Sequence, residues 1–135
     1  MPIGERPGAH RRGHGFTLIE LIVVMAIVAL LVSIAAPRYV ASLDRAREAS
    51  LRSSLAVMRQ AIDQYAADRG RLPQGLDELV RERYLRTIPE DPMTGQRDSW
   101  LAIAPAAEHP VTGALWDVRS GAAGRARSGE LYADW

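Results

Sequence analysis

One carboxylate, Glu20, stands in a stretch of chain that otherwise offers almost nothing but hydrocarbon, since Leu21–Ala36 carries Ser33 as its only polar side chain. At the centre of a membrane-inserted helix a carboxylate costs about 2.5–3.5 kcal/mol, so such a group either marks function or sits near a helix end and reaches interfacial water. Other chemistry-bearing residues are sparse. Cysteine is absent, which removes disulfides and thiolate metal sites. Of three histidines, His10 and His14 precede Gly15, leaving His109 alone in a Pro-flanked loop, where a histidine is ordinarily just solvated. There is no His/Cys cluster, no HExxH and no Gly-rich phosphate loop after a strand, so no poised base, nucleophile or metal centre emerges. Most remaining acidic residues fall beside arginines on a helix face, the pattern of a solvated, salt-bridged surface. The chain does not read as an enzyme.

The element that must hold Glu20 is Arg11–Pro37, RRGHGFTLIELIVVMAIVALLVSIAAP. From Phe16 to Ala36 is about 21 residues, roughly 31 Å as a helix, which matches a bilayer core of about 30 Å. In a chain of 135 residues, the membrane is the natural host for it. Arg11 and Arg12 beside the apolar run place the preceding segment in the cytoplasm, and residues after Ala36 outside the inner membrane. A secretory signal is the competing reading, with Ser33-Ile34-Ala35 as its small-x-small cleavage site, but Glu20 inside the apolar region and the length of the run argue against it. Composition, 47% hydrophobic and 24% charged, suits one small domain plus this segment. All 17 cationic side chains are arginine, and without Met1–Gly15 there remain 14 of them against 15 carboxylates. Near-neutrality excludes the electrostatic footprint of a nucleic-acid binder.

Gly15-Phe16-Thr17-Leu18-Ile19-Glu20, followed by the long apolar run, resembles the prepilin processing site of type IV pilins and type II secretion pseudopilins. The resemblance implies that a membrane aspartyl peptidase cuts between Gly15 and Phe16 and then N-methylates Phe16. Glu20 would become the fifth mature residue, an assembly residue paired with the Phe16 amine of a neighbouring subunit. Low dielectric strengthens such a pair and penalises an unpaired carboxylate.

Beyond the apolar run, Pro37 either ends the helix or kinks one that continues. Leu51, Leu55, Met58, Ile62 and Tyr65 form an apolar stripe at helical spacing, which favours continuation from about Phe16 to Asp68. Gly70 suits a helix end, and Leu76–Tyr84 reads as a short amphipathic helix through Leu76, Leu79 and Val80. Leu85–Asp98 reads as loop, Ser99–Ala104 and Leu115–Arg119 as strands with Trp100, Ala102 and Ala104 on one face, and Ser120–Trp135 as mostly irregular. Trp100, Trp116 and Trp135 suit packing of the head or of subunit contacts.

Arg59–Tyr65, Leu72-Pro73, Tyr84–Pro89 leading to Asp91-Pro92, Leu115–Gly121 and Tyr132–Trp135 resemble, in order, segments of the G-type major pseudopilin of type II secretion. The implied fold is α+β and type IV pilin-like. A long N-terminal helix, its first half transmembrane, packs on a small head with a short helix and a small antiparallel sheet. The implied organisation is a cleaved leader over 1–15, a transmembrane and filament-core half-helix over 16–37, and a periplasmic head over 38–135. The implied function is a structural subunit that polymerises helically into a periplasmic pseudopilus driving protein export. Its partners would be copies of itself, other pseudopilins, the prepilin peptidase and methyltransferase, an inner-membrane platform and a cytoplasmic ATPase. A type IV pilus subunit and a single-pass anchored binding domain are the alternatives. The family loop carries an Asp within a Gly-Ala-Asp-Gly run that helps bind calcium, whereas this chain has Gly121-Ala122-Ala123-Gly124. Asp117, Ser120 and Asp134, with Glu130 and nearby backbone oxygens, are the remaining candidate ligands for an ion that takes six to eight oxygens.

Overall fold

The computed structural model describes residues 15–135 together with Gly4 and Gly13; the rest of the expected leader, Arg11 and Arg12 included, lies outside the described residues. The elements are α1 (Leu18–Arg69), α2 (Leu76–Arg81), β1 (Leu101–Ile103), β2 (Asp117–Arg119) and a 3-10 turn (Tyr132–Asp134). The chain divides into two units, residues 1–40 and 41–135. The architecture is α+β and pilin-like.

The first unit holds the apolar part of α1. Nothing in its sequence breaks a helix before Pro37, and Pro37 itself lies inside α1 instead of ending it. Proline has no N–H to give to the carbonyl four residues back, so one rung of the ladder is missing there. Every large apolar side chain from Leu18 to Ile34 is exposed, from 47% at Val28 to 76% at Leu18. Among the described residues, none covers this run.

In the second unit the pattern becomes one-sided. Leu51, Leu55, Met58, Ile62 and Tyr65, the stripe expected from spacing, are all buried, and Ala61 joins them. They form the core with Leu72, Leu79, Leu85, Trp100, Leu115 and Val118. Gly70, at φ +67°, takes the left-handed conformation that ends α1, and its N–H donates to the Ala66 carbonyl at 2.9 Å. The chain then returns along residues 112–115: Leu72 N–H donates to Thr112 O at 2.7 Å and Leu115 N–H to Pro73 O at 2.9 Å. Gly113, at φ +141°, permits this approach, because a Cβ there would overlap the Leu72 side chain and carbonyl.

Helix α2 is shorter than the expected Leu76–Tyr84, and it buries a carboxylate as well as Leu79. Glu78 accepts hydrogen bonds from Arg71 Nη2 (2.7 Å), Tyr65 Oη (2.7 Å) and Gln74 N–H (2.6 Å), so one side chain pins the turn to the end of α1. The Arg71 guanidinium first, then the Tyr65 hydroxyl and the Gln74 amide, lower its pKa to about 2.

The sheet is an antiparallel pair with Leu101 opposite Arg119, Ala102 opposite Val118 and Ile103 opposite Asp117. The expected strands shrink to three residues each, and the residues read as sharing one face of β1 differ in burial. Trp100 is buried, but Ala102 and Ala104 are exposed. Ala102 faces the same side as its partner Val118, yet it lies one strand farther out and borders an open groove lined by Leu76, Ile88 and Trp100. A methyl group cannot close that groove. His109 also departs from expectation: its ring packs on Trp116 with centroids 4.3 Å apart, and its Nδ1 lies 3.1 Å from Val111 N.

Because the Glu78 carboxylate titrates lower in the folded head than its ordinary 4.5, its contribution is complete above about pH 4.5 and disappears as pH falls toward 2. Glu78→Gln should therefore lower stability by about 1–3 kcal/mol at neutral pH, the cost of disrupting a buried charged hydrogen-bond network. The gap between variant and wild type should narrow on acidification, as read by denaturant titration of the detergent-solubilised protein at pH 7 and pH 3.

Candidate processing and assembly site

The Gly15–Phe16 peptide lies in exposed, non-helical backbone ahead of α1. Nothing in the fold requires glycine at position 15: its φ is not positive, and the space a Cβ would occupy is empty. Phe16 is 88% exposed, the most exposed of the large apolar side chains.

Thr17 caps the helix. Its Oγ1 accepts the Glu20 N–H at 3.2 Å, and its carbonyl accepts the Leu21 N–H at 3.2 Å. Glu20 is thus the third residue of the helix, where the unpaired N–H groups and the macrodipole favour a negative charge by about 0.3–1 kcal/mol. Its neighbours Phe16, Leu21 and Val24 line a shallow apolar depression with it. The cap is a feature the sequence analysis missed. Its signal, Thr followed three residues later by Glu ahead of an apolar run, is the capping-box pattern.

Two of the candidate calcium ligands, Asp117 and Ser120, are engaged by other groups of the protein. Asp117 Oδ1 accepts from Arg59 Nε at 2.7 Å and from Val118 N–H at 2.7 Å. Ser120 Oγ donates to the fully buried Asp91 at 2.6 Å and accepts the Ala122 N–H at 3.1 Å. Asp134 is exposed in the 3-10 turn. Among the described residues no three His, Cys, Asp or Glu side chains are grouped as metal ligands. The Gly121–Gly124 loop is tightly seated, since a Cβ on Gly121 would fall on the Ser99 carbonyl oxygen.

A capped apolar helix with one carboxylate in its first turn, leading into a small α+β head, defines the pilin-like class. Residues 10–36 match the prokaryotic N-terminal methylation motif. The chain is 32% identical to type II secretion system core protein G of Aeromonas hydrophila, over 61% of this chain and 68% of that protein. It is 31% identical to the protein of the same name from Klebsiella michiganensis, over 60% and 68%. Competence protein ComGC of Halalkalibacterium halodurans is 30% identical over 60% of this chain and 78% of its own length. No solved structure matches. The chain belongs to the type II secretion system core protein G family and is a pseudopilin.

Thr17→Ala should cost about 0.5–2 kcal/mol of helix-start stability, and Thr17→Ser far less. Amide exchange in micelles should show faster exchange at Glu20 and Leu21 in the alanine variant, with Leu51–Tyr65 unaffected.

Proposed function

We propose that this chain is made as a precursor, cut between Gly15 and Phe16, N-methylated on Phe16, and assembled helically into a periplasmic pseudopilus that drives protein export. The supporting observation is the uncovered apolar run of α1 with its single carboxylate at Glu20. The absence of any internal need for glycine at position 15 supports an external one, a peptidase cleft that the backbone must approach closely. The proposed organisation is a leader over 1–15 in the cytoplasm, a half-helix over 16–37 in the inner membrane or filament core, and a periplasmic head over 38–135. Pro37 gives the helix a place to bend between these hosts.

Assembly exchanges lipid contacts for contacts among the same Leu, Ile, Val and Ala surfaces. Glu20 of one subunit pairs with the methylated, protonated amine of Phe16 on the next, and this fixes the register. A head-to-tail contact whose rotation does not close yields an open helix. The chain takes part as a structural subunit, with the prepilin peptidase, other pseudopilins, the membrane platform and its ATPase as partners. The resemblance of the Gly15–Glu20 segment to the processing site of type IV pilins supports a second reading, a type IV pilus subunit. Loss of exoprotein export on deletion, with surface filaments unchanged, separates the first from the second.

Co-expression with a prepilin peptidase should yield a membrane-extracted protein lacking residues 1–15 and carrying a methylated Phe16, read by mass spectrometry. Retention of the leader, or an N-terminus at Ala36, would overturn the processing. Glu20→Ala and Glu20→Val should insert normally and form no filaments; assembly at the wild-type rate would remove Glu20 from the mechanism.

A further inference from the structure

The segment from Asp117 to Trp135 has little regular structure to hold it: one three-residue strand, one isolated bridge between Arg125 and Leu131, and one 3-10 turn. Charged residues of α1 hold it instead. The Arg59 guanidinium donates to Asp117 Oδ1 at 2.7 Å, to the Val118 carbonyl at 3.0 Å and to the backbone oxygen of Trp135 at 2.8 Å. Earlier on the helix, Glu48 accepts the Arg127 N–H at 2.9 Å and the Tyr132 hydroxyl at 3.3 Å. Between them, Arg52 lies over the Trp135 ring, 4.2 Å from its centroid. The spacings of four and seven residues put all three on one helix face.

The oxygens gathered by Arg59, one carboxylate and two from the backbone, are the donor types a hard divalent cation collects. Here a guanidinium collects them, and its fixed planar fork can serve several acceptors at once. A second guanidinium, Arg125, donates to the Gly129 carbonyl at 2.8 Å within the loop. Residues 117–135 carry Arg119, Arg125 and Arg127 against Asp117, Glu130 and Asp134, so the side chains of the segment have no net negative charge to draw in a dication.

We propose that Arg59 is an internal cation that latches residues 117–135 to α1, and that this head closes without any divalent ion. The latch replaces a reversible ligand with a covalently attached one. Closure of the head then does not depend on the calcium concentration around it.

The test uses the full-length protein in detergent. Its thermal midpoint, followed by tryptophan fluorescence, should be the same in millimolar calcium and in EGTA. Arg59→Gln should lower that midpoint in both conditions and speed amide exchange in residues 120–135 by at least tenfold, with Leu51–Met58 still protected. A wild-type midpoint that falls on chelation, or calorimetric binding of calcium by the wild type, would overturn the proposal. So would an Arg59→Gln variant whose exchange over 120–135 is unchanged. If Arg59→Gln does not fold, Asp117→Asn removes the same ion pair at nearly constant shape and carries the exchange measurement, while the calcium measurement needs only the wild type.

Discussion

The uncovered apolar surface of α1 is the constraint from which the rest follows. Thirteen large hydrophobic side chains between Leu18 and Ile34 are exposed in the isolated chain. They are 47–76% exposed, so at about 1.5–3 kcal/mol for a side chain fully removed from water they represent on the order of 10–20 kcal/mol. That is as large as the roughly 5–15 kcal/mol by which whole domains are stable. Water is therefore not an available host for this run. Lipid is one host, and neighbouring copies of the same helix are another. The cost of Glu20, at most the roughly 3 kcal/mol of a charge at a helix centre, cannot decide whether the helix leaves water. It can decide between two apolar hosts, because the hydrocarbon term is nearly equal in both.

The head solves a different problem with the same helix. From Glu48 onward, α1 buries one apolar stripe and uses adjoining positions for charge. Leu51, Leu55, Met58, Ile62 and Tyr65 bury against the head, while Glu48, Arg52 and Arg59 reach the irregular segment that follows β2. A two-stranded sheet of three residues per strand is too small to be stable alone. The helix supplies what the sheet lacks, an apolar surface for Val118 and fixed partners for the loops. Glu78 does the same at the other end, binding the turn after Gly70 to Tyr65 at the end of α1.

What could be read from residue order was what local spacing determines. The stripe on α1, the glycine at its end and the lone carboxylate followed from periodicity, turn chemistry and hydropathy, while the small α+β head was what the family resemblance implied. What escaped was what only the closed chain creates. Glu78 is buried because Arg71, Gln74 and Tyr65 meet around it once the chain turns at Gly70. No pattern in Leu76–Tyr84 marks it among ordinary surface acids. The alternation predicted for β1 failed because a period of two says which residues share a face and not whether anything covers that face. His109 meets Trp116 across a loop whose path no spacing encodes. The Thr17 cap was different: its signal was local, and the same residues also spelled the processing motif.

That overlap bears on why the carboxylate stands at position 20. As the third helical residue, Glu20 faces the positive end of α1, and its own N–H is already satisfied by Thr17. The dipole returns about 0.3–1 kcal/mol of a desolvation cost that reaches about 2.5–3.5 kcal/mol only at a helix centre. A subunit waiting in the membrane can therefore tolerate the charge without being at rest with it. In the proposed filament, the remainder is met by the cationic Phe16 amine of the next copy, and methylation leaves that amine able to hold its proton. A glutamate one turn deeper would lose the dipole and cost more in the waiting subunit. In the proposed assembly, a residue without charge there would remove the electrostatic difference between lipid and filament.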